Sequence, residues 1–288
     1  MKYKIGPLLF LTPCLAILLF FAVFPLVYSL ALSFNSWEWT GKPGVGWEFV
    51  GLQNYEMLIS DMRFWLALRN TFTIVFFGLL LQFVIGLGLA LLLNREIKGG
   101  RFYRVAFLLP LMVTPVVAAF LWRLMLHETR GPVNHLLGLL GLPPIGWLSN
   151  MPFPLITIMT VDTWQYTPLV MLILLAGLQS IPIDSYEAAL IDGAGRWQIF
   201  RHVTLPLLKP LILVAVMIRA IDVIKIFDPV VVLTYGGPGY ATETGSFYIY
   251  TMAFRHFSMG YSSALSYVFL IITVLVSMQL IRGIARGS

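Results

Sequence analysis

The sequence predicts an all-α, polytopic membrane protein with six transmembrane helices and both termini in the cytoplasm. Three observations carry this. Of 288 residues, 59% are hydrophobic and only 11% are charged, whereas soluble domains carry roughly 25% charged residues. Apolar runs of about twenty residues, the length a helix needs to cross a bilayer, recur along the chain. The basic residues gather in alternate loops between those runs, which fixes orientation. No polar stretch is long enough to bury a core of its own, so residues 1–288 are expected to form one transmembrane domain. A net charge of +6 points to nucleic acid in a soluble protein. Here it resides at span ends, and no nucleic-acid partner is expected. The single cysteine, Cys14, lies inside the first apolar run and cannot form an intrachain disulfide.

Residues 7–34 form the first run. It is far longer than a signal-peptide core of about 7–15 residues, so a retained span is expected. Residues 35–63 are polar, with Glu38, Glu48, Glu56 and Asp61 against Lys42 and Arg63. The second span covers 64–93 and a compact basic loop follows at 94–104. The third span, 105–126, is interrupted by Pro110 and Pro115. Residues 127–152 are rich in Gly and Pro. The fourth span is 153–178, the fifth 207–233 and the sixth 263–281, with a loop at 234–262. The head, the 94–104 loop, the stretch after span four and the tail hold Lys2, Lys4, Arg95, Lys98, Arg101, Arg104, Arg196, Arg201, Lys209, Arg282 and Arg286. The alternate loops hold only Lys42, Arg63, Arg130 and Arg255. The positive-inside rule then places both termini and the stretch after span four in the cytoplasm, which requires an even number of spans.

The longest polar interruption in the second half is 185–210. A helix is expected over 186–191, after Pro182 and the capping-type residues Asp184 and Ser185. Gly193 and Gly195 flank Ala194 and supply a tight turn. A second helix is expected over 197–203, before Pro206 opens the next run. A basic helix–turn–helix between two spans suits a docking knob for a cytoplasmic partner; the bland alternative is an ordinary amphipathic loop.

Two groups of polar residues lie inside spans. Arg219, Asp222, Lys225 and Asp228 follow one another at i, i+3 steps in span five, where opposite charges on one helix pair. As an unbroken helix this ladder would run from about 18 Å to about 30 Å beyond Leu207. It reads as a polar wall of a substrate path, together with Phe227, or else as a self-neutralised structural ladder or a salt-bridge network at an interface with another subunit; these readings stay open. Span four offers Asp162, Trp164, Gln165 and Tyr166 before Pro168. Aromatic rings beside hydrogen-bonding groups suit a polyhydroxylated ligand; aromatic packing near the membrane interface is the alternative.

The spacing Glu187-Ala188-Ala189, three residues, Gly193, nine residues, then Val203-Thr204-Leu205-Pro206 resembles the EAA loop of ABC importer permeases, with Val203 where Ile is usual. Further on, Phe227-Asp228, Leu233-Thr234, Gly236-Gly237-Pro238-Gly239, Thr242-Glu243-Thr244, Tyr248, Tyr250, Ala253-Phe254 and Gly260-Tyr261 resemble the run of the carbohydrate-uptake branch of those permeases, which includes maltose, multiple-sugar and glycerol-3-phosphate importers. The resemblance spans residue 72 to the C-terminal end and is strongest over 162–267. It implies a type I ABC importer permease fold in a bacterial inner membrane. It further implies that 185–206 is a coupling loop presenting Glu187, Ala188, Ala189, Asp192, Gly193, Ala194, Gly195, Arg201, Leu205 and Pro206 to an ATPase, with Glu187 in ionic contact. The implied partners are two ATPase subunits, a second and different permease, an external solute-binding protein and a carbohydrate-type solute.

No G-x-x-x-x-G-K-[ST] loop occurs in the sequence, so ATP and Mg are expected on the partner ATPase and no cofactor or metal on this chain. A rival class, an ion-coupled carrier using Asp162 and the span-five charges, explains the buried charges but not the loop spacing. An intramembrane enzyme lacks support, since His127, His135, His202 and His256 are scattered and fall in no catalytic or metal motif.

Overall fold

The computed structural model describes residues 5–38, 47–95 and 98–285. Lys2 and Lys4 of the basic head, Lys42 and Arg286 lie outside the described residues. The described residues are mostly helical; among them the one sheet is a two-residue antiparallel pair, Asn35–Ser36 with Glu48–Phe49. Among the described residues four helices are long and apolar enough to cross a membrane: Leu11–Ser33, Met62–Leu93, Phe153–Ser180 and Met259–Gln279. They match spans one, two, four and six.

Spans three and five differ from expectation. The third is two helices, Gly100–Met112 and Pro115–Met125, bent by 95°. Pro115 cannot continue a helix from the preceding turn, and Thr114 before it is held extended, with ψ 146°. The fifth is an α-helix only over Leu205–Ile224, and it carries Lys209, Arg219 and Asp222. Lys225 to Phe227 break the helix, and a π-helical turn follows at Val230–Thr234. Pro229 forces the restart, because its ring would collide with the carbonyl four residues back.

Proline also explains the other π-helical turns. Leu19–Val23 precedes Pro25, and Phe200–Thr204 precedes Pro206. A proline has no N–H to return to the carbonyl four residues back, so the ladder widens just before it. Phe24 N–H bonds Leu19 O and Leu205 N–H bonds Phe200 O instead.

The contacts divide the chain into two compact units. The larger, Trp65–Phe247 with Thr273–Ser288, holds two cores. In one, Ala90, Leu93, Val170, Met171, Leu174 and Leu208 lock helices Met62–Leu93, Phe153–Ser180 and Leu205–Ile224 together. In the other, Ile74, Ile158, Val161, Val223, Val230 and Phe247 are buried. The loop after Thr234 is pinned within this unit. Asn70 Nδ2 donates to Glu243 O at 3.0 Å, Thr71 Oγ1 accepts Gly245 N–H at 3.0 Å, and Thr244 Oγ1 donates to Ile226 O at 3.1 Å.

The smaller unit, Met1–Phe64 with Tyr248–Ile272, is tied together by Asn54 and Asp61. Buried Asn54 donates to Ser33 O at 2.8 Å and Asn35 O at 3.1 Å. Asp61 caps helix Met62–Leu93 by accepting the N–H groups of Arg63 and Phe64. Its other oxygen accepts the hydroxyls of Tyr248 and Tyr261.

Candidate functional site

Two features of the larger unit carry the candidate chemistry: a buried charge cluster beside a polar cavity, and an exposed loop. Arg219 is only 1% exposed. An unpaired charge at that depth costs several kcal/mol, so its partners define the local structure. Its Nη2 donates to Asp162 Oδ2 at 2.9 Å and its Nε to Gln82 Oε1 at 3.0 Å. Gln82 Nε2 closes the ring by donating to the same Asp162 oxygen at 2.6 Å. The guanidinium carbon lies 3.9 Å from the centre of the Tyr166 ring, a cation–π stack. Three helices meet here: Met62–Leu93 through Gln82, Phe153–Ser180 through Asp162 and Tyr166, and Leu205–Ile224 through Arg219. Asp162 is nine residues into its helix, about 14 Å along it, so the cluster sits well inside the apolar span.

The expected ladder is therefore corrected. Arg219 pairs with Asp162 on another helix, and Asp222 takes a longer contact to Nη1 at 3.6 Å while its side chain stays 52% exposed. Among the described residues no salt bridge joins Lys225 to Asp222 or to Asp228. The helix break at Lys225 destroys the i, i+3 geometry that pairing needs. In place of a ladder, Asp222, Lys225, Phe227 and Asp228 line one polar cavity of about 140 Å³ with Asp162, Tyr166 and Arg219. Seven of the nine residues expected on the path meet there.

The remaining two do other work. Gln165 is buried and donates from Nε2 to Val113 O at 2.8 Å, satisfying a carbonyl freed by the break before Pro115. Trp164 lies against Trp122 edge to face and lines a separate, apolar groove. Gln82 was not anticipated. Its signal was legible: the one glutamine of a 32-residue, largely apolar helix, set in its middle, requires a buried partner.

In the loop, the first helix is Ile183–Ile191, with Pro182 at its cap position. Asp184 and Ser185 fall inside its first turn and no side chain caps it, because the helix starts earlier than expected. Its end explains the Glu-Ala-Ala to Gly spacing. Ala194 N–H bonds Ala189 O and Gly193 N–H bonds Leu190 O, both at 3.0 Å, the two bonds of a Schellman motif. That motif needs a left-handed residue one place after the cap, and Gly193 has φ +76°. Gly195, by contrast, is extended at φ −73°, ψ 165°, and starts helix Arg196–Ile199 with its N–H on Gln198 Oε1 at 2.8 Å. That helix passes through the π-helical turn Phe200–Thr204 straight into Leu205–Ile224.

Glu187, Ala188, Asp192, Gly193, Gly195, Arg201 and Pro206 are exposed; Ala189, Ala194 and Leu205 are half-buried. Around them stand exposed apolar side chains: Leu190, Trp197 and Ile191, the last 86% exposed. The loop thus offers an apolar surface with charges at its edge.

A multi-span helical protein with a charge cluster inside its spans and an exposed helical loop between two of them has the build of a membrane transport subunit. The chain belongs to the family of binding-protein-dependent transport system inner membrane components, whose model matches residues 82–286. It is similar to a probable ABC transporter permease protein of Sinorhizobium fredii, 39% identical over 97% of this chain and 90% of the relative. It is also 39% identical to the trehalose/maltose transport system permease protein MalF of Thermococcus litoralis, over 89% of this chain and 84% of that one. Its fold matches a chain of a bacterial ABC transporter involved in alginate import, with a TM-score of 0.82 at 23% identity, covering 96% of this chain and 94% of that chain. The chain is accordingly a multi-pass permease component of such a transport system, and ATP hydrolysis is not its task. The ion-coupled carrier alternative is set aside by this membership.

Proposed function

We propose that this chain is the permease subunit of a binding-protein-dependent ABC importer for a sugar or sugar-like solute in a bacterial inner membrane. Relatives named for their solutes support the class: a trehalose/maltose permease in Thermococcus litoralis and a lactose permease in Rhizobium radiobacter. In this reading the whole chain is one permease domain that crosses the membrane six times. The bent pair Gly100–Met112 and Pro115–Met125 and the helix Leu205–Ile224 complete the count. Both termini and the loop 185–206 are cytoplasmic.

The observation that carries the reading is the polar cavity of Asp162, Tyr166, Arg219, Asp222, Lys225, Phe227 and Asp228, set among apolar helices. A ring beside opposite charges and hydrogen-bonding groups fits passing hydroxyls. A second, different permease supplies the other half of the path, which explains a cavity with room for only part of a sugar. Two ATPase subunits, which hold ATP and Mg, take the exposed apolar side of the loop, and Glu187 meets a basic residue there. The Schellman turn keeps the loop stiff, so ATPase closure moves it as a body and rocks the spans. The loops at 35–63 and 234–262 receive the solute-binding protein.

The test is a gentle-detergent pull-down from native membranes with every co-purifying protein identified, combined with uptake of labelled maltose, trehalose and lactose. An ATPase, a second permease and uptake that stops when ATP is depleted are expected. A chain recovered alone under conditions that preserve such complexes, with no uptake, refutes the assembly.

A further inference from the structure

A second cavity, of about 370 Å³, lies at the end of helix Pro115–Met125. Arg123, His127, Glu128, Trp147, Ser149 and Thr234 supply its polar and aromatic side chains. It is built from irregular segments that one buried residue holds together. Asn134, 7% exposed, uses both ends of its amide. Its Nδ2 donates to Glu128 O and Ile145 O, each at 2.9 Å; its Oδ1 accepts Ile145 N–H at 3.2 Å and the Trp147 indole N–H at 2.8 Å. Those bonds fix the backbone at Glu128 and the plane of the Trp147 ring. Gly131 permits the tight return of the first segment, since a Cβ there would lie 2.4 Å from His127 O. On the third side, Arg123 Nη1 holds Val232 O at 2.9 Å, which anchors the π-helical turn carrying Thr234.

What remains available is the chemistry of hydroxyl recognition. The Arg123 guanidinium has five donors and gives one of them to Val232 O. Glu128 Oε2 takes only a long bond from Ser149 Oγ, 3.3 Å. His127 Nδ1 accepts the N–H groups of Thr129 and Arg130 at 3.4 Å, which leaves Nε2 as the donor nitrogen of the neutral ring. The Ser149 hydroxyl, which can still accept, and the Trp147 indole face complete a wall of donors, acceptors and ring. The segment Pro229 to Thr234 links this cavity to the first one: Pro229 lines the inner cavity and Thr234 the outer.

We infer that this cavity is a second carbohydrate-binding station, at the outer mouth, which holds a sugar ring before it reaches the inner cavity. The inference rests on the carbohydrate reading above. It also fits the positive-inside orientation, which puts residues 127–152 outside.

The test uses the intact complex of this chain with its partner subunits in lipid nanodiscs, without the solute-binding protein. Binding of maltose, trehalose and lactose is followed by saturation-transfer NMR, and uptake of the same sugars is measured in cells. At least one transported sugar is expected to bind. Glu128→Gln, an exposed change, is expected to weaken that binding about tenfold, the loss of one charged hydrogen bond. Trp147→Leu is expected to weaken it at least as much, with the folded yield of each variant checked. A sugar that is transported but does not bind, or that binds equally to both variants, overturns the outer station alone. Absence of uptake for all three overturns the carbohydrate reading and the station with it.

Discussion

At Arg219 the cost of burying a charge is met by three kinds of partner: the Asp162 carboxylate, the Gln82 amide and the Tyr166 ring face. Removing one partner leaves the others desolvated, whereas removing the pair leaves apolar space. Asp162→Leu and Arg219→Met alone are each expected to cost about 3–5 kcal/mol, and the double variant less than their sum. Thermal unfolding of the detergent-solubilised variants measures this, and additive losses refute the pairing. Asp61 gives a pH prediction outside the spans. Burial pushes its carboxyl up, but the hydroxyls of Tyr248 and Tyr261 and the N–H groups of Phe64 and Arg63 together outweigh it and hold the group below the ordinary carboxylate value. A depressed folded pKa means the stabilisation is fully present above the unfolded value, about 4, and is lost as pH falls through the lower folded one. Wild type is therefore expected to lose stability below about pH 4, while Asp61→Asn is less stable at pH 7 and shows a flatter acid limb. Parallel acid profiles of melting temperature for the two proteins contradict this.

At the scale of elements, the loop 185–206 was the most legible part of the chain and the fifth span the least. The loop could be read because its spacing is the footprint of a local motif: Ala189 and Gly193 sit where a Schellman turn needs a carbonyl and a left-handed residue. Local geometry is written in local sequence. The fifth span could not be read the same way. Apolar content over 207–233 suggests one helix, but the break at Lys225 depends on Pro229 and on Thr244, which holds Ile226 O from eighteen residues away. The partner of Arg219 was equally hidden, since Asp162 lies on another helix, 57 residues earlier. Gly193 has open space around it, so substitution there is penalised by the backbone alone. Gly193→Val is expected to cost about 1–2 kcal/mol locally and to reduce transport-stimulated ATPase activity with expression retained. Gly193→Asn, which tolerates the left-handed region, is expected to keep more of it. Equal activity in the two variants refutes the role of the turn.

For the whole molecule, the open choice is between six crossings and fewer, and it turns on two elements with opposite defects. The pair Gly100–Met112 and Pro115–Met125 is apolar but bent by 95°, so by shape it is either a broken span or a loop that enters and returns. Helix Leu205–Ile224 is continuous over 20 residues but carries Lys209, Arg219 and Asp222. Burial and charge neutralisation favour crossing in both. Arg219 is neutralised inside the protein by Asp162, which lowers its cost in a span, and Lys209 lies four residues after the helix start, close enough to the end for a lysine to snorkel. The broken pair has its freed carbonyl at Val113 satisfied by Gln165, as irregular backbone at membrane depth requires. The basic loops also alternate sides only if both elements cross. With Cys14 replaced by Ser, single cysteines at Lys98, Ser149, Arg196 and Tyr240, all exposed, report the sides directly. A membrane-impermeant maleimide is expected to label Ser149→Cys and Tyr240→Cys in intact cells, and Lys98→Cys and Arg196→Cys only after permeabilisation. If Lys98→Cys and Ser149→Cys label from the same side, the bent pair returns without crossing. If Arg196→Cys and Tyr240→Cys do so, the charged helix does not span, and the polar cavity lies outside the bilayer path assigned to it.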